Sequence, residues 1–564
     1  MTQIVPVSRT ATTNRGSQKV DVWLKTNKRM DLVANGDFIV SGEEGIDVTK
    51  NSIVGGDIIN SGSITADDKG IEIDSSTVGG DITNSADALI EAGDDGIRVS
   101  SDSNIFGDIT NNGTIEANDD GVDVSHSSTI GGDIINNSLI DADDDGVEVY
   151  GSSEVSGSIT NSSTGTIEAD DVGILVSYSS TVSGDITNET GGEIEADFAG
   201  ILISSYSEVG GDIVNNGQIT SDGVEVSVSA SAMVSGNVIN APLDIQEGTG
   251  IGIMVNGESD ITGSLINNGD IDAASSGILV GSTSDVATNI TNGSGGDITT
   301  GDYGIVVHQT STVGGDIINQ GNINGSDMGI VVWTNSQVGG DIINSGVITA
   351  EGGEEHGAVG IDVHTSTITG EINNSGIITA DDYSIHVGTA ATVTGHVDNS
   401  GTLTGGLWLR GTDAIDLDNS GVLDLVDTID NYISGDFDQD GDGEFAFELD
   451  LAANYEADEW ILTVAGDTDL DGLLSVTFAD GFELNEDDEF QFIDVSDGGL
   501  TGIFAGLAED AEIGRSNGYA LLITYNLNDD GDVGAYVNYV PEPGSMVLMA
   551  TLLAGAWLSK RLRR

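Results

Sequence analysis

The chain has 564 residues, 81 of them Gly, with 95 Asp and Glu against 15 Lys and Arg, no Cys and a formal net charge of −80. So acidic a body repels nucleic acid and anionic lipid surfaces, and nothing in it can form a disulfide. Only 5% of the residues are aromatic while Gly, Asn, Ser and Thr abound, a mix that suits turn-rich β structure.

Residues 1–29 form an N-terminal segment that carries six of the basic residues. No apolar run of the length a secretory leader needs follows the basic positions within residues 1–35. Export of this chain then calls for an upstream start or an unusual route.

From residue 30 to residue 424 the sequence repeats. The unit is clearest in "GGDIINSGSITADDKGIEIDSSTV", which begins at Gly55, and variants of its Gly-Gly-Asp-Ile core recur mostly every 24 to 27 residues. Each unit offers three short apolar segments, Asp-Ile-x-Asn, Ile-x-Ala and Gly-Ile-x-Val, separated by turn residues. Three strand-sized pieces per period of about 26 describe one coil of a right-handed parallel β-helix, with 14 to 15 coils in all.

Two positions support the coil. The residue after the Asp is Ile, Val or Leu in every unit from Ile58 to Val397, as an inward stack requires. Three residues after the Asp stands Asn in every unit, from Asn60, Asn84 and Asn111 to Asn374 and Asn399. Amides stacked coil over coil can hydrogen-bond along the axis, so these predict a structural ladder at a corner. Asn419 marks a shortened last coil and Met30 an irregular first one.

The middle residue of Gly-Ile-x-Val is expected to point outward. Early coils place Asp47, Glu72, Arg98, Asp123 and Glu148 there; later ones place Leu175, Leu202, Met254, Leu279, Val306 and Val331, interrupted by Glu225. This predicts an exposed apolar stripe and a candidate docking surface for a second copy or a matrix component. The turn before the third segment is acidic, with Asp67-Asp68, Asp94-Asp95, Asp119-Asp120, Asp143 to Asp145 and Asp170-Asp171. Carboxylates stacked that closely repel unless salt or Ca²⁺ relieves them, although Asp before Gly is also ordinary turn chemistry.

Beyond residue 425 longer alternating runs such as "EFAFELDLA" and "YALLITYNL" predict a small antiparallel β domain over residues 425–539. Within it "DFDQDGDGE" offers Asp436, Asp438, Asp440 and Asp442 around Gly441, as in the first half of an EF-hand loop, and makes Ca²⁺ the candidate metal. The twelfth position is Phe447, followed by Glu448, and no helical pattern flanks the loop.

Catalysis has little to stand on. A β-helix lyase needs a base and a charge-neutralising cation, and a glycosidase needs one distinct carboxylate cluster. Here Lys and Arg are sparse along the coils, Asp repeats evenly, and His364, His386 and His396 make only a loose group.

The chain ends in Val540-Pro541-Glu542-Pro543, an uncharged stretch from Gly544 to Ser559, and the basic tip Lys560, Arg561, Arg563 and Arg564. This three-part pattern resembles the PEP-CTERM sorting signal of exosortase-processed surface proteins, and the repeats are adhesin-like, similar to autotransporter passengers. The resemblance implies a transmembrane helix over the apolar stretch and a cytoplasmic basic tip. It also implies an exosortase-type partner, transfer to the surface or exterior of a Gram-negative bacterium, and association with exopolysaccharide or other matrix components. The expectation is thus an all-β, non-enzymatic surface or matrix protein with adhesin-like character. The alternative is a β-helix polysaccharide lyase or glycosidase.

Overall fold

Between Thr77 and Ser100 the chain makes one complete turn using four short strands: Thr77–Val78, Ile82–Asn84, Leu89–Ala92 and Ile97–Ser100. Each lies parallel and in register with its equivalent one turn on, with Thr77 opposite Asn104, Ile82 opposite Ile109, Ile90 opposite Ile115 and Ile97 opposite Val122. Strand alternation sends Val78, Ile82, Asn84, Ile90, Ala92, Ile97 and Val99 into the core, where all are buried. The bend into the fourth strand needs Gly96, because a Cβ there would run into the Ile115 side chain and the Gly121 carbonyl.

Repetition of this turn makes an all-β, right-handed parallel solenoid of about 17 turns. The computed structural model describes residues 22–25, 29–30, 33–36, 38–241, 245–248, 250–352, 357–426, 429–449, 460–486, 488–496, 498–527 and 532–539. Four strands per turn replace the three expected. The extra one, exemplified by Thr77–Val78, is two residues long and shows no alternation that a sequence pattern can register.

The chain divides into two compact units, Met1–Thr349 with Ser366–Ile368, and Ala350–Thr365 with Thr369–Arg564. In the first, the turn beginning near Met30 is regular: Arg29–Met30, Val33–Asn35 and Phe38–Ser41 all pair parallel with the next turn. A still earlier strand, Val22–Lys25, lies on Ile46–Thr49.

The second unit corrects the expected boundary at residue 425. Leu417–Asn419, Phe437–Gln439, Thr468–Leu470 and Leu500–Gly502 stack in parallel, as do Val422–Leu425, Glu444–Leu449 and Leu473–Phe478. Among the described residues antiparallel pairing is confined to the end, where Asp532–Tyr539 joins Glu489–Val495 and Tyr519–Leu527, and Tyr519–Leu527 joins Glu512–Ser516. The solenoid escapes notice here because its filling changes from aliphatic to aromatic. Phe437, Phe445, Phe447, Phe492 and Phe504 are fully buried, and Phe447 and Phe492 stand 4.8 Å apart.

Among the described residues no helix is long and apolar enough to cross a membrane. The sorting motif Val540 to Pro543, the apolar stretch and the basic tip lie outside the described residues.

Candidate functional site

Three polar ladders run along the first unit and explain most of its repeated polar residues. The Asn column is as expected and one turn longer: Asn35 Nδ2 donates to Asn60 Oδ1 at 2.8 Å, and the relay continues through Asn188 to Asn215 at 3.0 Å and Asn319 to Asn344 at 2.8 Å. Most of these amides also reach a backbone carbonyl, as Asn111 does with Leu139 at 2.9 Å. A second column was not read from the sequence. Buried Ser residues one corner away accept the backbone N–H of the preceding turn, Ser76 donating to Ser103 Oγ at 3.1 Å and Ser311 to Ser336 Oγ at 3.2 Å. The third is the Asp of Gly-Gly-Asp, whose Oδ1 accepts the N–H of the next turn's equivalent, as Asp108 accepts from Asp133 at 2.9 Å. These columns satisfy backbone groups that a solenoid corner would otherwise leave unpaired.

The second unit shows what "DFDQDGDGE" does. Asp436 belongs to the Gly-Asp column: its N–H donates to Asp416 Oδ1 at 2.8 Å and its Oδ1 accepts from Asp467 at 2.7 Å. Asp438 lies on the outward side of the strand Phe437–Gln439, in register between Asp418 and Asp469, and Asp440 and Asp442 sit exposed in the following turn. The four carboxylates do not bring three ligand oxygens within 4.8 Å of one another. Sequence spacing that resembles a metal loop is here the spacing of the coil itself.

The apolar stripe is in register but not exposed. Leu175, Leu202, Met254, Leu279, Val306 and Val331 line up in one column with a single gap after Leu202, yet the first four are half-buried, and Val306 and Val331 are buried. Tyr303 and Trp333, whose rings meet edge to face at 5.5 Å, lie beside the last of these strands. Ser227, not Glu225, interrupts the column. The corner fixes this register, because Val228 must stand four residues before Ala232, as Ile203 stands before Ser207. Glu225 consequently occupies the glycine position between Gly200 and Gly252, fully buried, and burial raises its carboxyl to about 9.

The outward position of the fourth strand is also covered in the early turns, and there it is acidic. The turn carrying Asp94-Asp95 folds over it, so Arg98 Nη1 meets Asp95 Oδ2 at 2.9 Å while its Nε lies 3.3 Å from Asp123 Oδ2. Asp95, Asp120 and Asp123, which sequence reading assigned to two separate stripes, offer ligand oxygens within 4.8 Å of one another. They are 0%, 7% and 2% exposed, which closes them to a polysaccharide. Burial, then Glu148, Asp145 and Asp123, push Asp120 up to about 10; burial likewise lifts Glu148 to about 8 and Asp145 to about 7. Lys69 ties the first end of this corner to Asp68 and Asp94. The signal that could have found the cluster is the recurrence of an acidic or basic residue three positions after the second Asp, at Arg98, Asp123 and Glu148.

The histidines separate. His386 bonds Asp362 and stacks against His364, whereas His396 lies between Glu371 and Asp418, at 3.5 and 3.6 Å. No protein family, curated protein or solved structure matches the chain.

Proposed function

We propose that this chain is a non-enzymatic structural protein of a bacterial cell surface or extracellular matrix, adhesin-like in architecture and delivered through its C-terminal sorting signal. The observation that carries this reading is the unbroken Asn relay from Asn35 to Asn344, flanked by the Ser and Asp columns. Polar side chains repeated turn after turn serve the backbone, which suits a stiff spacer better than a site that recognises one bond in a substrate. Its partners on this reading are an exosortase-type enzyme and exopolysaccharide or other matrix components, with self-association as a further contact. The lyase or glycosidase reading draws on the Asp95, Asp120 and Asp123 cluster, but catalytic carboxyls must touch sugar and these are shielded.

Fractionation of the native host tests the proposal. Wild type should be found outside the cell without its basic tip, while a variant with Pro541, Glu542 and Pro543 replaced by Ala stays with the inner membrane. If both remain intracellular with an intact C-terminus, the surface assignment fails.

A further inference from the structure

We infer that Asp95, Asp120 and Asp123 bind one Ca²⁺ in the acidic corner of the first unit, an inference independent of where the protein resides. The three side chains come from two successive turns and bring their oxygens within 4.8 Å of one another, inside the roughly 5 Å that separates opposite ligands around Ca²⁺. Geometry alone makes an acidic cluster; the oxygens left over make a site. Asp95 Oδ2 is engaged by Arg98, and Asp123 Oδ2 by Arg98 and by Ser125 Oγ at 3.0 Å. Asp95 Oδ1 and Asp123 Oδ1 remain buried with no hydrogen-bond partner, on residues 0% and 2% exposed. An unpaired carboxylate oxygen in that setting is strongly unfavourable unless a cation meets it.

Charge points the same way. The three carboxylates outnumber the guanidinium of Arg98 by two charges, and Asp145 and Glu148 beside Asp120 add to the negative excess, which a divalent cation relieves. All donors are oxygens and neither His nor Cys takes part, so the site selects a hard cation. Mg²⁺ holds on to several waters, for which a corner this enclosed is poorly suited; Ca²⁺ accepts irregular carboxylate geometry.

The test uses the full chain, stripped with EDTA, reloaded with CaCl₂ or MgCl₂, and followed by bound-metal analysis and thermal unfolding. Wild type should melt several degrees higher with Ca²⁺ than in EDTA, and Mg²⁺ should give a smaller shift. Asp120→Asn keeps an oxygen to accept the Asp145 N–H. It should hold one Ca²⁺ fewer per chain than wild type and lose most of the shift, with Asp123→Asn behaving alike. Asp297→Asn, an exposed carboxylate outside the cluster, should match wild type. Equal Ca²⁺ content in wild type and Asp120→Asn, a melting temperature indifferent to Ca²⁺ in wild type, or an equal response to Mg²⁺ would each overturn the assignment.

Discussion

Glu225 is the residue at which the repeat is most plainly violated. In the first unit it stands in a column otherwise held by glycines such as Gly200 and Gly252, and both carboxyl oxygens are buried without a hydrogen-bond partner among the described residues. With its carboxyl raised from 4.5 to about 9, the folded chain keeps a proton that the unfolded chain releases. Below about pH 4.5 both states are protonated and the group adds no pH dependence. Between there and about pH 9 the unfolded state binds fewer protons, so stability falls as pH rises, and above that it levels off. At pH 7 the loss is on the order of 3 kcal/mol. Glu225→Gln should therefore gain on wild type progressively from pH 5 to pH 9 in denaturant titrations; a constant difference between the two across that range would show the carboxyl to be ionised throughout.

At the scale of the element, the Ser column of the first unit has one interruption, which shows what the other members do. Where Ala232 replaces Ser, the Ser207 N–H has no hydroxyl above it and turns to the Ser204 carbonyl at 3.2 Å, while Ala232 itself still donates to Ser259 Oγ at 3.1 Å. Ala232→Ser should restore the link and raise stability by about 0.5–1.5 kcal/mol, read as a higher denaturation midpoint with an unchanged slope. A loss of stability would mean the corner around Ala232 is too tight for a hydroxyl. Sequence alone was enough to find the Asn column, because asparagine recurs with the inward Ile at a constant offset. It did not reveal the Ser column, since Ser is common in turns throughout and its neighbours vary. The two-residue strands, the shift that buries Glu225, and the covering of Leu175 to Val331 are tertiary facts. Each depends on what the adjacent turn places above it, and no single period of the sequence contains that.

At the scale of the molecule, charge dominates. Ninety-five acidic residues face fifteen basic ones. Among the described residues Lys69, Arg98 and Arg515 are already held by Asp68 and Asp94, Asp95 and Asp123, and Glu512. The surplus repels itself, and screening it should stabilise the fold. Raising NaCl from about 10 mM to about 1 M shortens the screening length from about 30 Å to about 3 Å, so the melting temperature should climb with salt even when divalent ions are removed. A melting temperature that falls across this range would place the stability in ion pairs instead.

The internal columns also make length an independent variable. Removing residues 290–316 would join Asn289 to Ile317 and take out one member of each column, Asn292, Ser311 and Asp316. The flanking members Asn267 and Asn319, Ser284 and Ser336, and Asn289 and Asp341 would then face each other with the same chemistry they now offer to the turn between them. Each such change alters the reach of the stack by about 4.8 Å and leaves its core recipe untouched. A lineage can thus tune how far this protein extends by gaining or losing whole turns, without having to reinvent a single contact.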